Sequence, residues 1–477
     1  MTDAWVGLAL VSAGWAAARQ MEARQSVAAI AIDWSLPAAA WALAAAVTAR
    51  PVASGLAVAA LALGLALLAR VKRAVLGETL VFTDHALAWQ VVAFPRLYLP
   101  FAPPWAVGLG ALVPIGVAAA LLAEAPSLAG VERAVLGGAG LSAALLAASA
   151  ASRLPFAGAA QDSARFGLFA TLAGHGLRAC RERASRRAAL PAPPAIRPPP
   201  EPPHLVLVQA ESFCDPARVV PGLAASALPA FDRLRRHGAG GTFRVRGFGA
   251  NTMRTEFSVL TGLGEAEVGL DAFNPYAAFA RSPVPSLAWR LAAAGWRTVC
   301  VHPFAGSFFR RDRVMPALGF ASFLDARAFP RPTHGRFVPD LALADFACRL
   351  IAEADRPLFL FLITIENHGP YPERDSALGW SAPADLPEGR RLAGWLAGLA
   401  RTDAMLERLV AALEAGSRPW VLCLYGDHPP ALPRAFSALG APFDRTDWTI
   451  APAAAAPAAS ELDPVGLHRR LAQAVGR

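Results

Sequence analysis

Apolar positions are spread unevenly along the chain, and the change in their pattern divides it. Residues 5–18, 27–48, 52–69, 105–123 and 134–151 form apolar stretches at or near the length that crosses a bilayer, so about five transmembrane helices are expected. Asp33 falls inside the second stretch but close to an end, where its carboxylate is expected to snorkel to the interface. Residues 70–104, rich in proline and aromatic side chains, read as interfacial.

Past residue 152 the pattern changes twice. Residues 153–189 carry arginines at partly helical spacing, as expected of an amphipathic segment lying on anionic lipid, and residues 191–203, PAPPAIRPPPEPP, read as a stiff polyproline-like spacer. Beyond it, short apolar runs at 204–208, 298–301, 357–363 and 420–424 alternate with helical patterns at 284–294, 340–354 and 391–415. Such alternation predicts an α/β domain whose mostly parallel sheet is covered by helices on both faces. The expected organisation is a transmembrane region over 1–152, a basic segment and linker over 153–203, and a catalytic domain over 204–477 capped by a helix near 462–475.

Composition agrees with this division. A chain of 477 residues with 55% hydrophobic residues and a mean hydropathy of +0.38 is too apolar for an ordinary soluble protein, and the excess lies in its first third. The net charge of +9 is carried almost wholly by arginine, without a long basic run or an aromatic-interleaved patch. It therefore points to anionic lipid headgroups and a membrane rather than nucleic acid. Cys180, Cys214, Cys300, Cys348 and Cys423 form no CxxC pair, and Cys300 and Cys423 fall in expected strands, where they should simply be buried.

The candidate chemistry sits where expected strands end. Glu211 follows the run at 204–208, His302 the next, His368 the third, and Asp427-His428 the fourth, all at the carboxyl edge where open α/β sheets place ligands. Glycines crowd 238–249, after which Asn251-Thr252 precedes a helix-like run over 253–260 closed by Gly262 and Gly264. Thr252 is thereby set where helix N–H groups point at an anion. Glu211, Thr252, Asp427 and His428 together offer an oxygen and nitrogen shell suited to one divalent ion, Mn²⁺, Mg²⁺ or Zn²⁺. Arg310 and Arg311, in SFFRRDR, supply guanidinium forks for phosphodiester oxygens, with Arg310 expected in solvent.

These residues carry a resemblance. ESF at 211–213, NTMRTEF around Thr252, ENH at 366–368 and YGDH at 425–428 resemble, in order and spacing, the lipoteichoic acid synthase-like phosphoglycerol transferases of the alkaline phosphatase and sulfatase superfamily. Residues 70–104 likewise resemble part of that family's membrane region. The resemblance implies metal ligation by Glu211, Thr252, Asp427 and His428, with Mn²⁺ the first choice and Thr252 also the nucleophile. It further implies substrate contacts from His302, Arg311 and His368. The implied reaction moves glycerol phosphate from an anionic phospholipid, phosphatidylglycerol in the first instance, to a glycan or polymer acceptor outside the inner membrane. That orientation conflicts with Arg70, Lys72 and Arg73, which the positive-inside rule would keep in the cytoplasm. Phe309 stands where the family commonly has tryptophan, two positions before the substrate arginine.

Other readings use the same core. A phosphoethanolamine transferase would share it, but no acidic pocket for an amine is legible. Cys214-Asp215-Pro216-Ala217-Arg218 fits the C-x-P-x-R pentapeptide of sulfatases, yet Cys214 leaves the first strand directly, whereas the superfamily's nucleophile comes from the later turn occupied by Thr252. A non-catalytic lipid- or glycan-binding membrane protein would not require all four ligands.

Overall fold

The computed structural model describes residues 2–19, 26–101, 103–224, 226–280, 284–332, 335–452 and 461–476. The chain divides into two compact units, Met1–Arg186 and Arg187–Arg477.

Among the described residues of the first unit, four helices are long and apolar enough to cross a membrane: Val27–Thr48, Pro51–Leu76, Pro104–Ala123 and Gly130–Ala151. The N-terminal stretch also forms a helix, Thr2–Arg19, with charges at both ends and several small residues, and is not one of those four. Asp33 corrects an expectation. It does not snorkel; it is buried, accepting from Trp15 Nε1 at 2.9 Å and from Ala170 N at 2.9 Å. Ala170 lies in the first turn of the helix Leu168–Ala188, so the carboxylate serves unpaired N–H groups of a helix start. Lys72 and Arg73 are engaged too: Lys72 Nζ sits 2.8 Å from Asp84 Oδ2, and Arg73 Nη2 donates to Thr79 Oγ1 at 3.1 Å.

Among the described residues the second unit has nine strands: β1 (His204–Ala210), β2 (Ala239–Arg244), β3 (Arg297–Val301), β4 (Ser322–Leu324), β5 (Leu358–Ile363), β6 (Ser376–Ala377), β7 (Trp380–Ser381), β8 (Trp420–Gly426) and β9 (Arg445–Ala451). β6 and β7 form a small hairpin, and the other seven make one sheet in the order β2-β9-β8-β1-β5-β3-β4. From β8 to β4 the pairing is parallel, while β9 runs antiparallel to both neighbours. β1 and β5 are buried along their whole length because helices cover both faces of a parallel sheet, which is why they read as unbroken apolar runs. The expected strands appear as β1, β3, β5 and β8, and the sheet is the mostly parallel α/β one anticipated.

Register does the positioning. Ala210 pairs with Gly426, and Val301 with Leu362, so the residues that follow these strands emerge side by side at one edge. The helix Gly389–Ala415 covers one face, its Trp395, Leu396 and Leu399 fully buried in the main core. The C-terminal helix Pro464–Val475 packs on the helix Thr252–Thr261, where His468 Nδ1 meets Val259 O at 2.9 Å.

Candidate metal centre

Four of the expected residues meet at the edge of the sheet. β1 delivers Glu211, β8 delivers Asp427 and His428, and the helix Thr252–Thr261 begins at Thr252 itself. Gly426 makes the approach possible: a Cβ there would run into the Phe213 carbonyl, so only glycine lets the end of β8 lie against the loop that follows β1. Ser212 (φ 54°) and Asn251 (φ 68°), each beside a site residue, hold the left-handed conformation that turns the chain sharply at these points.

The carboxylate of Asp427 is the hub. Its Oδ1 accepts from Ser212 N and His428 N, both at 2.9 Å, and its Oδ2 accepts from Thr252 Oγ1 at 2.8 Å. Glu211 Oε1 accepts from Ser212 Oγ at 2.8 Å, while Tyr371 OH reaches that hydroxyl at 3.2 Å and Trp395 Nε1 holds the Ser212 carbonyl at 2.8 Å. His428 Nδ1 faces the Pro429 carbonyl at 2.9 Å; a carbonyl only accepts, so Nδ1 carries hydrogen. In the neutral ring Nε2 then presents its lone pair 3.3 Å from Asp427 Oδ2 and 3.6 Å from Glu211 Oε1.

This set could hold a cation. Glu211, Asp427 and His428 are all buried, each offering one ligand atom within 4.8 Å of the others. Burial, then the neighbouring charge of Asp427, pushes the Glu211 carboxyl up to about 8. Two crowded carboxylates, an imidazole whose tautomer is set by the backbone and a hydroxyl fit one divalent ion.

The other three expected residues divide. His302 is buried and neutral, held well below the usual imidazole range by burial and then by the charge of Arg311. Its Nδ1 lies 3.1 Å from Ile363 O, and its Nε2 receives Arg311 Nη1 at 3.3 Å, so both ring nitrogens are engaged. Arg311 is buried and paired with Glu256, whereas Arg310 is exposed as expected. His368 Nδ1 is bound to the Gly369 carbonyl at 2.7 Å, and burial lowers its pKa. No hydrogen bond joins His302, Arg311 or His368 to the Asp427 cluster among the described residues. Cys214 lies apart as well: its thiol is buried, pushed far up by burial, and its Sγ is 3.8 Å from the Arg445 carbonyl on β9.

Glu256, which the sequence did not single out, and Thr255 also belong to this architecture. Glu256 is the buried partner of Arg311, and Thr255 Oγ1 donates to the Asp427 carbonyl at 2.9 Å. Their spacing after Thr252 was the available signal, three and four residues along one helix face.

A family model described as Sulfatase matches residues 203–453. Among curated relatives, the capsular polysaccharide biosynthesis protein RkpI of Rhizobium meliloti (strain 1021) is 35% identical over 273 residues, 54% of this chain and 47% of its own length. A second protein of the same strain, named for a provisional role in cyclic beta-1,2-glucan modification, is 32% identical over 243 residues, 50% of this chain and 37% of its own. The chain thus spans less than half the length of these relatives. Among solved structures, the Streptococcus pyogenes phosphoglycerol transferase GacH in complex with sn-glycerol-1-phosphate aligns at 18% identity and a TM-score of 0.49, over 63% of this chain and 81% of that one.

Proposed function

The chain belongs to the sulfatase family, and we propose that within it the chain is a membrane-bound, metal-dependent phosphoglycerol transferase. The observation that carries the reading is the hydroxyl of Thr252, hydrogen-bonded at 2.8 Å to Asp427 within a buried Glu211, Asp427 and His428 cluster at a helix start. Glu211, Thr252, Asp427 and His428 would hold the divalent ion, Mn²⁺ in preference to Mg²⁺ or Zn²⁺. When bound, such an ion lowers the pKa of a hydroxyl and offsets charge on phosphoryl oxygens.

The chain's own groups account for the rest. Thr252 Oγ1 donates its proton to Asp427 Oδ2, so as Oγ1 attacks the phosphorus of a phosphatidylglycerol headgroup that carboxylate takes the proton and passes it to the departing diacylglycerol oxygen. The new Oγ–P bond replaces the bond from phosphorus to diacylglycerol, which leaves as an alcohol. An acceptor hydroxyl then displaces Thr252 from phosphorus, and the threonine proton is restored. In this reading the N–H groups of the helix start and Arg311 would stabilise the developing oxygen charge. His302, with both nitrogens engaged, orients Arg311, whereas His368 keeps Nε2 for proton transfer or substrate contact.

The acceptor in this reading is a glycan, supported by the polysaccharide roles named for the two Rhizobium relatives. The site faces the extracytoplasmic side of the inner membrane, where that acceptor is assembled, and the four apolar helices anchor it there. A sulfatase using Cys214 is disfavoured by that thiol's place against β9. The test is peptide mass spectrometry of the full-length protein incubated with phosphatidylglycerol and Mn²⁺ without acceptor. A glycerophosphoryl adduct on Thr252 is expected, lost with turnover in Thr252→Ala. An adduct on another residue, or undiminished turnover in Thr252→Ala, would defeat the mechanism.

A further inference from the structure

We infer that Glu256 is the residue that positions Arg311 for anion binding, acting from the same helix that carries Thr252; the inference rests on the functional reading above. Glu256 lies one turn after Thr252 and is fully buried. Its carboxylate takes both prongs of the guanidinium, Arg311 Nε to Oε1 at 3.0 Å and Nη2 to Oε2 at 2.7 Å. Two further donors complete its shell: Gln209 Nε2 to Oε2 at 2.7 Å, and Tyr276 OH to Oε1. Gln209, on β1, in turn accepts from the Tyr425 hydroxyl on β8. A carboxylate held from four sides has no freedom to swing, and neither has the arginine locked on it.

The remaining constraints on Arg311 come from its other faces. Nη1 meets His302 Nε2 at 3.3 Å, and His302 is fixed through Nδ1 to the carbonyl of Ile363. The ring of Phe309 lies 5.3 Å from the guanidinium carbon, a cation–π contact reached because Phe309 (φ 53°) and Arg310 (φ 56°) both adopt the left-handed conformation. The guanidinium is thus set in plane by a carboxylate and an imidazole and flanked by an aromatic ring. One helix therefore fixes the nucleophile at its first residue and the arginine through its fifth.

Two physical roles for Glu256 predict opposite signs. If it acts only as a charge, Glu256→Gln removes a negative group beside an anion site and tightens phosphate binding. If it positions Arg311, the same variant weakens binding although the site has become less negative. The experiment measures inorganic phosphate affinity by titration calorimetry on the full-length, Mn²⁺-loaded protein in detergent, together with metal content and glycerol phosphate transfer. Loss of one aligned charge-assisted hydrogen bond corresponds to roughly ten- to a hundredfold in affinity, and that weakening is expected in Glu256→Gln with metal content unchanged. Arg311→Ala and the double variant Glu256→Gln/Arg311→Ala should bind phosphate equally, since without the arginine there is nothing to position; a purely structural role would make the losses add.

Unchanged or tighter phosphate binding in a metal-replete Glu256→Gln overturns the inference, as does an additive double variant. Should Glu256→Gln fail to fold, Tyr276→Phe removes one donor while leaving the ion pair, and a smaller weakening of the same sign is expected; no change there overturns it equally. Phosphate binding that weakens as expected in a protein without transfer activity sinks the transferase reading and leaves this one standing. Wild-type protein that binds no phosphate with Mn²⁺ present overturns both.

Discussion

Replacing Glu211 by glutamine should stabilise the metal-free protein while abolishing its response to metal. The Glu211 carboxyl moves from an ordinary value of 4.5 to about 8, first through burial and then through the charge of Asp427. A carboxyl raised on folding contributes stability that is fully present below 4.5 and is lost as pH climbs through about 8. At about 1.4 kcal/mol per pH unit, that window is worth at most about 5 kcal/mol. Glutamine mimics the protonated form at every pH and can still accept from Ser212 Oγ, so Glu211→Gln should escape the loss. The assay is the melting midpoint of full-length protein in detergent from pH 5 to 8.5, with EDTA or with saturating MnCl₂. In EDTA the wild-type midpoint should fall across this range by several degrees, at roughly 2–4 °C per kcal/mol for a domain of comparable size. The variant should stay flat and melt above wild type at pH 8. With Mn²⁺ at a hundred times its Kd, wild type should recover about 2.7 kcal/mol at that pH, and the variant little. A variant less stable than wild type at pH 8 in EDTA, or one that keeps the full Mn²⁺ response, would refute the reading of this cluster as a cation site.

Other outcomes follow from single contacts. Thr255→Ala should keep the Thr252 adduct while losing the bond to the Asp427 carbonyl, a cost of about 1 kcal/mol readable as a lowered midpoint with the adduct still present by mass spectrometry. Cys214→Ser should retain most turnover, since a serine hydroxyl can donate to the same Arg445 carbonyl; lost turnover with a formylglycine mass on Cys214 would restore the sulfatase reading. Asp33→Leu should strand the N–H groups of Trp15 and Ala170, costing about 1–3 kcal/mol for each, and protease protection of the membrane unit will show whether its packing loosens.

What could be read from sequence depended on whether burial left an apolar signature. β1 and β5 are covered on both faces and announce themselves as aliphatic runs, and the ligands are legible because each ends a strand or opens a helix. β2, AGGTFR, has no such run: a Cβ at Gly240 would lie 2.9 Å from the Trp448 carbonyl, so glycine is there to let two backbones meet. β9, RTDWTIA, hides for another reason. Its Thr446 and Thr449 are buried but satisfied, donating to the Gly426 carbonyl at 2.8 Å and the Ala239 carbonyl at 3.1 Å, and polar residues satisfied by backbone defeat a hydrophobicity pattern. Glu256 was missed because its partner lies 55 residues away, and Asp33 because its helix start lies 137 residues further on. Such pairings are set by tertiary structure, which no local period encodes.

The left-handed turns at Ser212 and Asn251 carry an implication for anyone who would harden this protein. A residue with a Cβ held at φ 54° or 68° costs roughly 1–2 kcal/mol, less for asparagine, and glycine would relieve that strain. A laboratory selection for heat resistance should therefore be drawn to these two positions. At Ser212 the gain would come at the expense of the hydroxyl that steadies Glu211 and receives Tyr371, so the variants that survive heat best would be those whose metal ligand has been set adrift.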